Sequence, residues 1–240
     1  DERHLIEFPL FEIEVAHCGL ENLKEEISNI FRAMIENVEK TCHDEIEFLL
    51  GSAVHLELLK PPYNSMTYRD AVMALSAYNL KFGDDLKSVH EQELVKQNKG
   101  KPLFITHFPQ HIKFFNMRLN REDNTIVNSM DLIMPYSGEA VGAAEREEDY
   151  NILRKRLEES DMLRLLKDAV KKESRFTGKS SDEIHKEAMS RFDWYVDIIK
   201  NKPISHAGCG IGINRVCQAI LNTDDIRHAT AFPLNRETLF

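Results

Sequence analysis

Ile126-Val127-Asn128-Ser129-Met130-Asp131-Leu132-Ile133-Met134-Pro135-Tyr136-Ser137-Gly138-Glu139-Ala140-Val141-Gly142 holds two β-type runs joined by a turn at Pro135 to Gly138. A parallel pair needs a crossover of a dozen or more residues, so this connection predicts an antiparallel hairpin. Leu103-Phe104-Ile105-Thr106 and Ile112 to Leu119 are further short runs, and Arg121-Glu122-Asp123-Asn124 turns the second of them back toward Ile126. Residues 102–142 are thus expected to build an antiparallel sheet.

Outside this block, Glu7 to Ala16 alternates as a strand, with Glu7, Pro9, Phe11, Ile13 and Val15 on one face and Phe8, Leu10, Glu12 and Glu14 on the other. Apolar positions 20, 23, 27, 30, 31, 34, 35 and 38 step by three and four, which predicts an amphipathic helix that packs on the sheet. Pro61-Pro62-Tyr63-Asn64 breaks the chain, and Thr67 with Asp70 caps a helix running to about Leu75. A second helix is expected over Ser88 to Lys96. Glu147 to about Tyr195 reads as two or three helices, interrupted near Thr177-Gly178-Lys179 and restarted at Ser181 or Asp182. Gly208 to Ile213 reads as a strand entering an apolar helix from Val216 to Leu221. The fold class is α+β, an antiparallel sheet flanked by helices.

A length of 240 residues with 42% hydrophobic and 30% charged residues suits a globular domain, not a disordered or fibrous chain. No apolar run reaches the ~20 residues of a membrane span. The chain opens without an initiating Met or a basic-then-apolar leader, so it reads as a trimmed or partial sequence. The net charge of −9 argues against nucleic-acid binding by the whole surface. Residues 154–191 are locally basic, with 11 basic and 8 acidic side chains, a mixture that suits a solvated helix face better than an RNA-binding one. Cys18, Cys42, Cys209 and Cys217 form no CxxC pair, which favours reduced thiols in a cytoplasmic protein. His90, His107, His111 and His206 show no zinc-type spacing.

Three constellations can bear chemistry. Phe8 with Glu12 and Glu14 is either a ligand face, aromatic stacking plus an ammonium or metal partner, or an ordinary wet strand face. Asp131 and Glu139 flank a tight turn and suit a Mg²⁺ ion that takes one or two carboxylates plus phosphate oxygens. Arg146 offers a planar fork for a carboxylate or phosphate, whereas Glu147, Glu148 and Asp149 equally suit the acidic first turn of a helix. Gly208-x-Gly210-x-Gly212 lets a flat ligand approach the backbone, with Arg215 at the start of the following helix. The spacing is not that of the dinucleotide-binding fingerprint.

In this order, the segments resemble the catalytic domain of class II aminoacyl-tRNA synthetases, most closely the asparaginyl and aspartyl branch with its asparagine-synthetase-related paralogues. Arg3 to Glu14 is similar to the second half of that class's motif 2, and Gly208 to Leu221 to its motif 3. Phe82-Gly83-Asp84-Asp85-Leu86-Lys87-Ser88-Val89-His90-Glu91, Pro102 to Thr106 with Phe108-Pro109, Ile112-Lys113, and Gly138-Glu139 to Arg146-Glu147 resemble asparaginyl-branch segments. The resemblance implies one catalytic domain over 1–240, lacking motif 1 and the start of motif 2, with a helical insertion at about 154–191.

The resemblance also implies roles. Arg3, His4, Phe8, Glu139, Gly212 and Arg215 would bind ATP, with Phe8 on the adenine and Arg215 against the γ-phosphate. Glu12, Arg146 and Gly208 would bind the amino acid, Glu12 at its ammonium group. Asp131 and Glu139 would hold Mg²⁺, and Arg215 and Arg146 would be the catalytic pair. The activity implied is activation of asparagine as an adenylate and its transfer to tRNA by a cytoplasmic homodimer away from any membrane. The alternative is a paralogue that amidates aspartate or another small acid without tRNA, motivated by Glu145-Arg146-Glu147, the Ala143-Ala144 run and the absent anticodon module. Asn214 stands where the family usually has Glu.

Overall fold

The structure, a computed structural model, describes residues 3–234. Its elements in chain order are β1 (Leu10–Ala16), α1 (Leu20–Thr41), α2 (His43–Leu50), α3 (Leu56–Leu59), β2 (Asn64–Thr67), α4 (Tyr68–Ala74), α5 (Ser88–Gln97), β3 (Leu103–Thr106), β4 (Ser129–Met134), β5 (Gly138–Glu145), α6 (Tyr150–Glu159), α7 (Asp161–Lys172), α8 (Ser181–Ser190), α9 (Asp193–Asn201), β6 (His206–Gly212) and α10 (Ile213–Ile220). The strands form one six-stranded sheet in the order β1-β6-β5-β4-β3-β2.

Neighbouring strands are antiparallel from β1 to β3, as the short turns require. The edge pair is different: β2 runs parallel to β3, Asn64 facing Leu103 and Thr67 facing Thr106. The connection that makes this possible is the long segment containing α4 and α5, which supplies the crossover that a parallel pair demands. The expectation of a wholly antiparallel sheet is corrected at that edge.

One face of the sheet packs on α1. Leu20, Leu23, Ile27, Phe31 and Ile35 are buried and repeat every three or four positions, so they form a single stripe. That stripe meets Met130, Leu132, Val141, Ala143, Cys209 and Ile211 in the main core, with Ile13 and Val15 of β1 at its border. Each fully buried Leu, Ile or Phe side chain contributes roughly 1.5–3 kcal/mol relative to exposure. The N-terminus of α1 begins at Gly19, which has no capping side chain, and Glu145 at the end of β5 supplies the cap: Leu20 N–H donates to its Oε1 at 2.8 Å.

The other face divides in two. Over β3 it is covered by Tyr68, Ala71, Leu75, Leu94 and Val95 of α4 and α5 and the turn between them and β3. The predicted capping of α4 is present, Asp70 N–H donating to Thr67 Oγ1 at 3.1 Å and Thr67 N–H to Asp70 Oδ2 at 3.4 Å. Over β1, β6 and the first half of the β4–β5 hairpin that face stays open.

Residues 112–119 do not form the expected strand. Met117 and Leu119 make only single bridges, to Arg146 and Val127. Asn116 O and Arg118 O accept from Glu147 N–H and Asn128 N–H, and several other carbonyls here take a side-chain donor. Buried Arg156 of α6 donates to the carbonyls of Phe115 (3.0 Å), Met117, Gln110 (3.3 Å) and Phe114 (3.2 Å). The region after β5 is four helices, α6 to α9, where two or three were expected, because Ser160 restarts the chain by accepting from Leu163 N–H at 3.1 Å. These helices and Phe115 enclose a core of their own, with Leu153, Leu157, Leu163, Val170, Ile184 and Ile199. Their charges pair among themselves: Arg191 with Glu173 at 2.6 Å, Arg154 with Glu158 at 3.0 Å, and Lys179 with Glu183 at 2.9 Å.

Candidate active site

Register builds the floor of the open face. β1 pairs with β6 so that Leu10, Glu12 and Glu14 lie opposite Gly212, Gly210 and Gly208. Gly210 and Gly208 lie opposite Gly142 and Ala144 of β5, and Gly142 opposite Asp131 of β4. Small residues across three strands leave a flat backbone surface bordered by carboxylates. The space over Gly208 is filled by a neighbour: a Cβ there would stand 2.2 Å from the Glu14 carboxylate. Only glycine admits that carboxylate.

Above Gly208, Arg146 grips Glu14 with two nitrogens, Nε to Oε1 at 3.1 Å and Nη2 to Oε1 at 2.6 Å. His206 Nε2 lies 3.9 Å from the other Glu14 oxygen. The fork–carboxylate geometry fixes the plane of the guanidinium. A Cβ at Gly210 would come 4.0 Å from Glu12 Oε1, so Glu12 borders the next step of the floor.

Toward Gly212 the floor opens into a cleft of about 220 Å³, lined by Arg3, His4, Phe8, Glu139, Gly210, Gly212 and Arg215, among others. Phe8 is 52% exposed, an aromatic ring offered to the cleft and not spent on the core. Arg215, two residues into α10, donates from Nη1 to Ser137 O and from Nη2 to Arg3 O at 3.0 Å. Burial first, then the Arg3 charge, lowers its pKa, while Glu91 and Glu139 work in the opposite direction. Burial and the neighbouring Arg215 and Arg3 also lower His4 from the usual histidine value, which favours its neutral form. Arg3 and Arg215 thus gather beside Glu139 at one end of the floor, and Glu12, Glu14 and Arg146 at the other.

A second cleft, of about 380 Å³, shares Glu139 and Gly142 with the first and reaches Asp85, Lys113 and Asp131. Asp131 and Glu139 meet on this side because of a β-bulge. The β4–β5 register shifts between Leu132 and Ile133, so that Leu132 faces Val141 but Ile133 faces Glu139. Regular alternation would put Glu139 and Gly142 on opposite faces; the extra residue returns Glu139 to the open one. A Cβ at Gly142 would lie 3.0 Å from Glu139 Oε1 and 4.0 Å from Asp131 Oδ1. Lys113 Nζ donates to Asp131 Oδ2 at 2.6 Å and lies 4.0 Å from the centre of the Phe108 ring. Burial pushes Asp131 up and the Lys113 ammonium pulls it back. The net direction for Asp131 is upward, and repulsion from Asp131, followed by burial, drives Glu139 up to about 8. Among the described residues no group of three or more His, Cys, Asp or Glu side chains is arranged to hold a metal. Two carboxylates over one glycine, one of them pushed up by the other and by burial, do fit a divalent ion whose remaining ligands come from phosphate and water.

The ten side chains and glycines singled out in the sequence, from Arg3 to Arg215, all lie on this open face. Two neighbours were missed. Lys113 stands among Ile112, Phe114 and Phe115, and buried Glu91 shares a stripe of α5 with Leu94 and Val95. A charge interrupting an apolar pattern is the signal that identifies both. The acidic residues beside Arg146 are architectural. Glu145 caps α1 and accepts from Asn128 at 2.9 Å; Glu147 is fully buried and accepts from Arg121 at 2.6 Å and from Leu119 N–H at 3.1 Å. Asp149 caps α6, accepting from Asn151 N–H at 2.9 Å and Ile152 N–H at 3.0 Å. Asn214 lines the same cleft as Arg215 and donates to Ala229 O at 2.8 Å.

The family model of class II tRNA synthetases (D, K and N) matches residues 1–236. The chain belongs to this family. Among its relatives, asparagine–tRNA ligase of Legionella pneumophila (strain Lens) is 31% identical over 96% of this chain and 46% of that protein. Asparagine–tRNA ligase of Pelotomaculum thermopropionicum is 32% identical over 96% and 48%. The asparaginyl-tRNA synthetase of Pyrococcus horikoshii, solved with asparaginyl-adenylate, superposes with a TM-score of 0.83 at 27% identity, covering 100% of this chain and 50% of that one. The aspartyl-tRNA synthetase of Entamoeba histolytica shares the fold, with a TM-score of 0.79 at 24% identity. The chain spans about half the length of the curated relatives it matches.

Proposed function

We propose that this class II synthetase domain activates asparagine with ATP, forming asparaginyl-adenylate and pyrophosphate, for transfer to tRNA. One observation supports the reading above the others: a single glycine floor runs from the Glu12, Glu14 and Arg146 end to the Phe8, Arg3 and Arg215 end. An amino acid and a nucleotide laid end to end along it meet groups of the right polarity. Phe8 stacks on adenine, and Arg3, His4 and Arg215 neutralise the phosphates. Glu12 accepts from the amino acid's ammonium group, and Arg146, held by Glu14, donates to its side-chain carbonyl.

The reaction is attack of the amino acid's carboxylate oxygen on the α-phosphorus, forming one P–O bond while the bond to the β-phosphate's bridging oxygen breaks. Pyrophosphate leaves with that bridging oxygen and its electron pair. The protein contributes alignment and charge neutralisation, effects that need no general base. Asp131 and Glu139 would hold a Mg²⁺ ion, which supplies electrostatic stabilisation of phosphate charge when bound. The choice of asparagine follows the relatives, and the reading carries with it a tRNA partner and a cytoplasmic homodimer, as in the family resemblance. Residues 1–240 act in it as the catalytic domain, with α6 to α9 as its helical insertion.

ATP–pyrophosphate exchange tests the proposal. Exchange with asparagine and not with aspartate is expected, and its absence with both amino acids would refute the reading. Conversion of aspartate and ammonia to free asparagine without tRNA would transfer the assignment to the amidating paralogue.

A further inference from the structure

We propose that Glu91 is a positioning residue for the phosphate end of this site, acting through Arg3 and the backbone of Glu139 without touching the nucleotide itself. The inference rests on the adenylate-forming reading above.

Glu91 occupies a position on α5 where the pattern calls for an apolar side chain, since its buried neighbours on the helix are Leu94 and Val95. Burying a carboxylate there is unfavourable unless specific partners meet it. Three separate segments provide them. From the loop before β1, Arg3 Nη2 approaches Glu91 Oε2 at 3.8 Å. From the start of β5, the backbone N–H of Glu139 favours the ionised form of the carboxylate. At the turn between β4 and β5, Gly138 takes φ +74°, and a Cβ on it would lie 2.3 Å from Glu91 Oε2. The glycine is thus both a turn residue and the notch that receives this carboxylate.

The same three segments carry the groups assigned to phosphate and metal. Arg215 donates to Ser137 O in the turn and to Arg3 O in the loop. Arg3 is therefore held at both ends, its carbonyl by Arg215 and its guanidinium by Glu91. Glu139 follows the notch by one residue on β5, so the seating of Glu91 against Gly138 bears directly on its backbone. Glu91 lines the second cleft and is absent from the lining of the first, where Arg3, Phe8 and Arg215 gather. The role is to set the spacing between cation and carboxylate at the phosphate end.

Two variants separate positioning from packing. Glu91→Gln keeps the volume and an acceptor for the Glu139 N–H but removes the charge facing Arg3. Gly138→Ala keeps the charge and pushes the carboxylate out of its notch. With the full chain in ATP–pyrophosphate exchange, both should raise the KM for ATP about tenfold, the effect of losing one charge-assisted contact. The KM for asparagine should stay within about twofold, because the Glu14–Arg146 end is untouched. Equal rises in both KM values, or a fall in thermal midpoint with unchanged KM for ATP, would show Glu91 to be structural and overturn the proposal. Should either variant fail to fold, the other decides. Titration with a fluorescent ATP analogue gives the same contrast without amino acid. Wild-type protein that binds the analogue but performs no exchange would sink the proposed function while leaving the Glu91 comparison intact.

Discussion

Gly208→Ala isolates the amino-acid end of the floor. The new Cβ would stand 2.2 Å from Glu14 Cδ and Oε2 and 2.4 Å from Oε1, whereas non-bonded heavy atoms settle at about 3.5–4.0 Å. Glu14 must withdraw by more than ~1 Å, which carries its oxygens beyond the hydrogen-bond reach of Arg146 Nε and Nη2. The fold should tolerate this, because the Glu14 side chain is half exposed and an exposed ion pair contributes only ~0–1 kcal/mol. A thermal midpoint within about 4 °C of wild type is expected. Arg146, however, loses the partner that fixes its plane. An interaction with a charged group contributes ~1.5–3 kcal/mol, so the KM for asparagine should rise roughly 10- to 100-fold at ~1.4 kcal/mol per decade. The KM for ATP should not move. Exchange kinetics with each substrate varied in turn, beside a melting curve, make the measurement. An unchanged KM for asparagine in a folded variant would refute the idea that the Glu14–Arg146 pair aligns substrate. Shortening the acid as well, in Gly208→Ala with Glu14→Asp, should recover part of the loss.

Three further outcomes are expected. Arg156→Met removes the side-chain donor from the carbonyls of Gln110, Phe115 and Met117, Phe114 O keeping Met117 N–H, and should cost roughly 3 kcal/mol or more, seen in urea unfolding and as new proteolytic cleavage in that segment; a loss under ~1 kcal/mol would contradict the clamp. Lys113→Met leaves Asp131 buried without its cation and should cost about 3–5 kcal/mol near neutral pH, the deficit shrinking as pH falls and Asp131 takes a proton; a pH-independent deficit would contradict the ion pair. Burial holds the Glu91 proton up to about 7 against an ordinary 4.5. The folded state binds that proton more tightly than the unfolded chain, so its stabilising effect is complete below the ordinary value and is lost as pH rises through about 7, roughly 3 kcal/mol in all. Unfolding free energies across that window should therefore slope downward in wild type and flatten in Glu91→Gln, and parallel slopes would disprove the assignment.

Much of the fold was legible because α1 repeats its apolar residues on one buried face and the β4–β5 hairpin is two β-type runs joined by a tight turn. The parts that escaped are set by distant partners. β2 is four residues long, follows a proline break and runs straight into α4, so nothing local marks it; β3 defines it. Residues 112–119 alternate like a strand, yet Arg156, far along the chain, satisfies several of their carbonyls in place of a ladder. At the site, the polarity of the two ends could be read from Glu12, Glu14 and Arg215. Their convergence depends on register, and so do the notches at Gly138 and Gly208, which exist only against Glu91 and Glu14. Lys113 and Glu91 were visible as charges inside apolar patterns, a cue whose meaning appears only when their partners are placed.

The bulge in β5 bears on how this protein can change length. With one additional residue on one side of the hairpin, the orientation of everything before it is a matter of parity. Deleting Ala140, the extra residue, would leave Leu132 opposite Val141 and Ile133 opposite Glu139 in a regular ladder, with Glu139 two positions before Gly142 and still on the open face. A change of one residue that the bulge absorbs preserves orientation, whereas one taken up as a slip in register turns Glu139 toward α1. Changes of length in β5 are therefore compatible with the site only at the bulge, where the ladder on either side keeps its pairing, a constraint that no single side chain displays.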